Sequence, residues 1–157
     1  MIRSLAASYD ASMPDDTAEP PSRGPIDTEI LDRIAAHLAR SERFTDIQTR
    51  PPYAPNAVVA DYDLGYFPNG VTRAYLRIRW FETDDFSIHY SEQYRTEASW
   101  ECRWDRHPND HNARKHFHPP PAAPTPGEDA EYPDEWRDVL TTVLTRLDDR
   151  IEAFWDR

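Results

Sequence analysis

Four of the six histidines in this 157-residue chain lie within one short segment, between positions 107 and 118. The same segment contains Lys115, the only lysine of the sequence. Imidazole changes its protonation state near neutral pH, and it is also a frequent metal ligand. The segment therefore indicates acid–base catalysis or metal binding, and a third interpretation, a histidine-rich loop without a catalytic role, stays open.

The metal interpretation depends on the pair His116 and His118. In an extended segment, residues two apart project to the same side, so both imidazoles would face one ion. Zinc accepts three nitrogen ligands and keeps a fourth position for water. The sequence thus allows a zinc site made by His116 and His118 with His111, or in its place His107, as the third ligand.

The second interpretation is cleavage of RNA without a metal. That reaction needs a base for the 2′-hydroxyl, an acid for the leaving 5′-oxygen, and cations beside the phosphorane. Histidines meet the first two needs, while Arg103 and Lys115 would stabilise the negative charge. The predicted catalytic residues, with no cofactor, are Arg103, Asp105, His107, Lys115, His116 and His118.

The chain before this segment alternates between apolar and polar residues, as strands with one buried face do. Strands are predicted near residues 57–63, 71–81, 86–91 and 100–105. Phe67 to Gly70 has the composition of a turn, and a second turn is expected near residues 83–85. The pattern predicts an antiparallel meander with one apolar and one polar face.

Arginines recur on the polar face of the predicted meander. Arginine binds phosphate through two parallel hydrogen bonds, so this face is a candidate RNA-binding surface. The predicted substrate-binding residues are Arg73, Arg77, Arg79, His89 and Arg114. The competing interpretation is that these arginines form cross-strand ion pairs with Glu82, Glu92, Glu101 and Asp105.

Two amphipathic helices flank the strands. Asp27 is a suitable N-cap for a helix to about residue 43, and apolar residues from Trp136 to Phe154 recur at helical spacing. Both helices should cover the apolar sheet face around Trp80. The predicted fold is α+β, an antiparallel β-meander of about four strands with two helices packed on one face. It forms a single domain over residues 26–157, after a flexible tail at 1–25.

The composition is acidic, with 29 Asp and Glu against 18 Lys and Arg and a net charge of −11. With lysine almost absent, this composition is typical of a salt-adapted, halophilic protein. At high salt the Debye length falls to about 3 Å, so the net charge does not exclude a nucleic-acid substrate.

The chain has one cysteine, Cys102, which excludes a disulfide within the chain. No apolar run suits a membrane span and no signal peptide is recognised, so a cytoplasmic location is expected.

The cluster resembles the TumE-type toxins of bacterial and archaeal toxin–antitoxin systems. Arg103-Trp104-Asp105 is followed by His107-Pro108, His111 and a closing His116-Phe117-His118. The resemblance covers about residues 71–118, although Asn109 and Asp110 stand where the family has histidines. It implies an endoribonuclease toxin in the cytoplasm, inhibited by a small DNA-binding antitoxin encoded nearby. A non-enzymatic interaction protein that uses the open sheet face, or a small metal-binding protein, remains an alternative.

Overall fold

The computed structural model of the chain describes residues 24–108 and 114–156. Nearly all of the predicted tail lies outside these ranges. The helices are α1 (Thr28–Ala39) and α2 (Trp136–Trp155), with a short 3₁₀ helix at Leu64–Tyr66. The strands are β1 (Phe44–Arg50), β2 (Ala57–Tyr62), β3 (Val71–Trp80), β4 (Phe86–Tyr94), β5 (Ser99–Arg106), β6 (Lys115–His118) and β7 (Glu128–Asp129).

Within the described residues, the strands form one seven-stranded sheet in chain order. Every neighbouring pair is antiparallel. The predicted α+β class is therefore confirmed, but the expected count of about four strands is too low. The strands that were not predicted are β1, β6 and β7. The two strands β6 and β7 have only four and two residues, too few to show a periodicity of their own.

The first helix begins where the sequence predicted and ends earlier. Asp27 caps it, since its Oδ1 accepts a hydrogen bond of 3.0 Å from the backbone N–H of Ile30. The helix ends at Ala39 rather than near residue 43. Its last carbonyls, at His37 and Leu38, accept the backbone N–H groups of residues 40 and 41. This tight final turn releases the chain into the edge strand β1.

Both helices pack on the same face of the sheet. Leu31, Ile34 and Leu38 of α1 are fully buried in one apolar core with sheet residues such as Ile78 and Ile88. The apolar stripe of α2 joins the same core, and full burial of each such side chain stabilises the fold by about 1.5–3 kcal/mol. The predicted packing of two helices on one face is confirmed. Neither helix covers the polar face.

A buried carboxylate links α2 to the sheet on the covered face. Glu92 of β4 is fully buried, and its two oxygens accept hydrogen bonds of 2.7 Å from Nε and Nη2 of Arg150. The hydroxyls of Tyr90 and Tyr94 donate to the same carboxylate at 2.6 and 2.7 Å. Glu92 is therefore not a partner for the open-face arginines.

Candidate active site

The register of four strands brings the candidate residues together on the open face. Arg77 of β3 lies opposite His89 of β4, His89 opposite Arg103 of β5, and Arg103 opposite His118 of β6. Residues that lie directly opposite each other in paired strands point to the same side of the sheet. These four side chains therefore form one line across it. We call this line the cationic row.

A second set of contacts converges on one carboxylate at the β6 end of the row. Four nitrogen atoms approach Oδ2 of Asp105, and the distances are 2.8 Å for Arg103 Nε, 3.1 Å for His118 Nε2, 3.4 Å for His116 Nε2 and 3.5 Å for His107 Nε2. We call these five residues the Asp105 cluster. Asp105 and the three histidines are all buried.

The surroundings of Asp105 determine its charge. Burial by itself raises the pKa of this carboxyl, but hydrogen bonds from the three histidines and the charge of Arg103 outweigh burial and hold the pKa well below its ordinary value. Asp105 is therefore ionised at neutral pH. Its second oxygen, Oδ1, is buried without a hydrogen-bond partner among the described residues. The cluster thus has a buried negative centre surrounded by nitrogen atoms of four side chains.

His118 has partners in both of its protonation states. Its Nδ1 lies 2.7 Å from the carbonyl oxygen of Pro124, and since a carbonyl only accepts, this nitrogen carries a hydrogen. Its Nε2 lies 3.2 Å from Arg103 Nη2 and 3.1 Å from Asp105 Oδ2. The neutral ring accepts from Arg103, and the charged ring donates to Asp105. Each ring nitrogen of His118 therefore has a polar partner.

The proline-rich segment after β6 holds His118 in this orientation. It supplies the Pro124 carbonyl and returns to the sheet at Gly127. A Cβ at Gly127 would lie 2.5 Å from the carbonyl oxygen of Phe117 and 3.1 Å from Nδ1 of His118. Only glycine fits so close to backbone. The five prolines of residues 119–126 favour an extended connection, but no local pattern indicates that it contacts a histidine.

His107 is the most accessible ring of the cluster. Its Nδ1 lies 3.0 Å from the Pro108 carbonyl oxygen, so Nε2 points toward Asp105. The next residues, including His111, lie outside the described ranges, so the predicted zinc set that contains His111 is not placed. A different set is close enough for a metal, because ligand atoms of Asp105, His116 and His118 lie within 4.8 Å of one another.

No helix of the described residues is long and apolar enough to cross a membrane.

Comparison with protein families identifies the chain. A family model described as Toxin TumE matches residues 31–151. The chain belongs to the TumE toxin family. The match begins in α1 and ends in α2, so it extends well beyond residues 71–118, over which the sequence motifs resemble the TumE toxins. No curated protein and no solved structure matches the chain.

Two residues that the sequence predicted for the site, Lys115 and Arg114, lie away from the Asp105 cluster. Lys115 alternates with His116 in β6 and so faces the other side of the sheet, where its ammonium lies 3.5 Å from Glu131. Arg114 contacts the carboxylate of Asp85, and this pair joins it to the β3–β4 turn. Neither side chain is brought to Asp105.

The three arginines of β3 differ in their surroundings. Arg73 forms a cross-strand ion pair of 2.7 Å with Asp61 and lies 4.1 Å from the ring centre of Tyr75. Arg77 lies in the cationic row. Arg79 is buried, with its guanidinium 5.3 Å from the ring centre of Phe81. Cross-strand pairing therefore accounts for Arg73. Arg77 is in register with His89 and Arg103, whereas the buried Arg79 is in register with Ser87 and Asp105.

Membership of the TumE toxin family also establishes the broad role of the protein. It is a toxin of a toxin–antitoxin system, and an antitoxin is its partner. The Arg103–Asp105 and His116–His118 pairs that resemble the TumE motif meet in one cluster.

Proposed function

We propose that this TumE toxin is an endoribonuclease that cleaves RNA without a metal, by acid–base catalysis at the Asp105 cluster. The observation that supports this proposal best is the environment of His118, which has a partner for each protonation state. Arg103 and Arg77 would hold the scissile phosphate by charge-assisted hydrogen bonds. The expected products carry a 2′,3′-cyclic phosphate and a 5′-hydroxyl.

The exposed fractions of the side chains indicate where RNA would approach. Arg103 is 27% exposed and His107 is 9% exposed, whereas His116 and His118 are 2% and 3% exposed. RNA would therefore contact Arg103 and His107 directly. His116 would hold Asp105, and His118 would exchange protons beside Arg103. The substrate would lie along the cationic row.

Replacement of His118 tests the proposed chemistry. His118→Ala should lower kcat/KM for RNA cleavage by about 10²- to 10⁴-fold, the usual contribution of a general acid or base, and should abolish toxicity. His116→Ala should also abolish toxicity because the ring contacts the same carboxylate. Cleavage of a fluorescent RNA and growth after induction measure the two effects.

The control is His37→Ala. His37 lies on α1 and contacts the ring of Trp136 edge to face, on the covered side of the sheet. This variant should remain toxic and cleave RNA like the wild type. If His118→Ala folds normally, as judged by thermal unfolding, and still cleaves RNA at the wild-type rate, the proposal is wrong.

A zinc-dependent site is the second candidate, because Asp105, His116 and His118 are close enough to bind one ion. We expect the metal-free mechanism, so untagged protein treated with EDTA should retain its full cleavage rate. Elemental analysis of the same sample gives its zinc content. Loss of cleavage in EDTA and recovery with stoichiometric zinc would favour the metal mechanism and leave the location of the site unchanged.

The proposal includes the partner and the location. We expect a small DNA-binding antitoxin, encoded beside the toxin, to inhibit RNA cleavage in the cytoplasm. Co-expression of the neighbouring gene should restore growth and yield a complex on gel filtration. Should all histidine variants stay toxic while Arg77→Ala prevents complex formation, the toxin would act through binding by its open sheet face.

A further inference from the structure

We infer that His89 is the general base of this reaction and that Glu101 holds it in the reactive tautomer. This inference rests on the proposed RNA cleavage and names the residue that removes the proton of the 2′-hydroxyl. The sequence predicted only a substrate-binding role for His89. The Asp105 cluster would then act on the other side of the phosphate, as the source of the acid.

The contacts of His89 define which nitrogen can act as a base. Its Nε2 lies 2.7 Å from Oε1 of Glu101. Because a carboxylate only accepts hydrogen bonds, Nε2 carries the hydrogen and Nδ1 presents its lone pair. The hydroxyl of Ser99 donates to the second oxygen of Glu101 at 3.1 Å, and the ring of Tyr75 contacts the imidazole edge to face. These contacts fix the orientation of both side chains.

The position of His89 suits a base better than the positions of the buried histidines. Its side chain is 27% exposed and that of Glu101 is 33% exposed, so substrate can reach them. His89 and His118 both lie opposite Arg103, on either side of it. Adjacent strands are about 4.8 Å apart, so about 10 Å separates the two backbones. A phosphate bound by Arg103 would lie between a base and an acid.

The charges around His89 keep it available for this role. Burial lowers the pKa of its imidazole below the ordinary value, the hydrogen bond and charge of Glu101 oppose this, and Arg103 and Arg77 lower it further. Tyr75 also faces the ring from β3. The lowered pKa leaves the imidazole neutral at pH 7, and only the neutral form can accept a proton.

The proposed cleavage is a transesterification at phosphorus. The 2′-hydroxyl proton passes to Nδ1 of His89 as the 2′-oxygen forms a bond to phosphorus. The bond between phosphorus and the 5′-oxygen then breaks, and that oxygen takes a proton from an imidazolium of the Asp105 cluster. Arg103 lies between the two groups and would stabilise the extra negative charge of the phosphorane.

The test compares His89→Gln with the wild type. We expect kcat/KM to fall by about 10²- to 10³-fold, within the usual range for loss of a general base. Affinity for an RNA with a 2′-deoxy group at the cleavage site, which binds without reacting, should stay within about 3-fold. Glu101→Gln should cause a smaller loss, because its amide oxygen can still accept from Nε2.

The pH profile separates catalysis from a structural hydrogen bond between strands. For the wild type, kcat/KM should fall on the acidic side as His89 gains a proton, and this limb should disappear in His89→Gln. Gln93→Ala is the matched control, since Gln93 is exposed on the same strand and face. It should keep the wild-type rate and profile.

Two outcomes would overturn the inference in distinguishable ways. If His89→Gln keeps its rate and acidic limb while His118→Ala is inactive, His89 is not the base and the proposed function stands. If the wild-type toxin does not cleave RNA, or if variants of the Asp105 cluster cleave normally, the proposed function fails and the assignment of His89 fails with it.

Discussion

Replacement of Asp105 by asparagine is expected to abolish toxicity and to lower kcat/KM for RNA cleavage by about 10³-fold or more. The carboxylate is the shared acceptor of three imidazoles and one guanidinium. Asparagine has nearly the same volume, and its amide oxygen can take the position of Oδ2, but it carries no negative charge. Arg103 would lose its counter-charge, and the three imidazoles would face a neutral amide in place of a carboxylate.

The same variant should be less stable than the wild type at neutral pH. Loss of one partner of a buried ion pair destabilises a protein by about 3–5 kcal/mol. The pKa of Asp105 is held well below its ordinary value in the folded protein. Its stabilising contribution is therefore complete above the ordinary carboxyl pKa of about 4 and is lost as the pH falls through the folded value.

Urea unfolding at several pH values measures this difference. The gap in unfolding free energy between wild type and Asp105→Asn should be largest near pH 7 and should narrow in strong acid. Asp61→Asn is the matched control, since Asp61 forms an ion pair of 2.7 Å with Arg73 on the same face but is more exposed. A surface pair contributes about 0–1 kcal/mol. Equal losses in the two variants would contradict a special role for Asp105.

Local periodicity was sufficient to predict much of the site. Alternation in the strands put Arg77, His89 and Arg103 on one face, and an antiparallel meander aligns neighbouring strands. The spacing of His116 and His118 predicted two imidazoles on one side, as β6 shows. The same rule places Lys115, next to His116, on the opposite face.

Other features depend on contacts between distant residues, which leave no local pattern. The orientation of His118 depends on the Pro124 carbonyl, and this contact requires the fold of the proline-rich segment. The pairing of His89 with Glu101 depends on the register between β4 and β5. Alternation excludes a one-residue shift of that register, which would turn an apolar face to solvent. It does not exclude a shift of two residues, which keeps both faces but gives His89 a different partner.

The largest purely structural effect is expected for Arg150→Ala. This change leaves the fully buried carboxylate of Glu92 without the guanidinium that makes two hydrogen bonds of 2.7 Å to it. It also removes the stacking of Arg150 on Trp100, at 3.4 Å from the ring centre. Leaving one buried charge without its partner lowers the free energy of unfolding by about 3–5 kcal/mol. Urea unfolding would detect this loss.

The control and the rescue both follow from the geometry of this pair. Arg146→Ala, one turn earlier on the same helix and exposed, should change stability by no more than about 0.5 kcal/mol. Combining Arg150→Met with Glu92→Leu should recover much of the loss, because apolar replacements of a buried pair remove the stranded charge. Since Glu92 faces the helices and the Asp105 cluster faces the open side, Arg150→Ala should cleave RNA normally below its unfolding temperature. A loss of cleavage in folded Arg150→Ala protein would mean that the two faces are coupled, and that the active site depends on the position of α2.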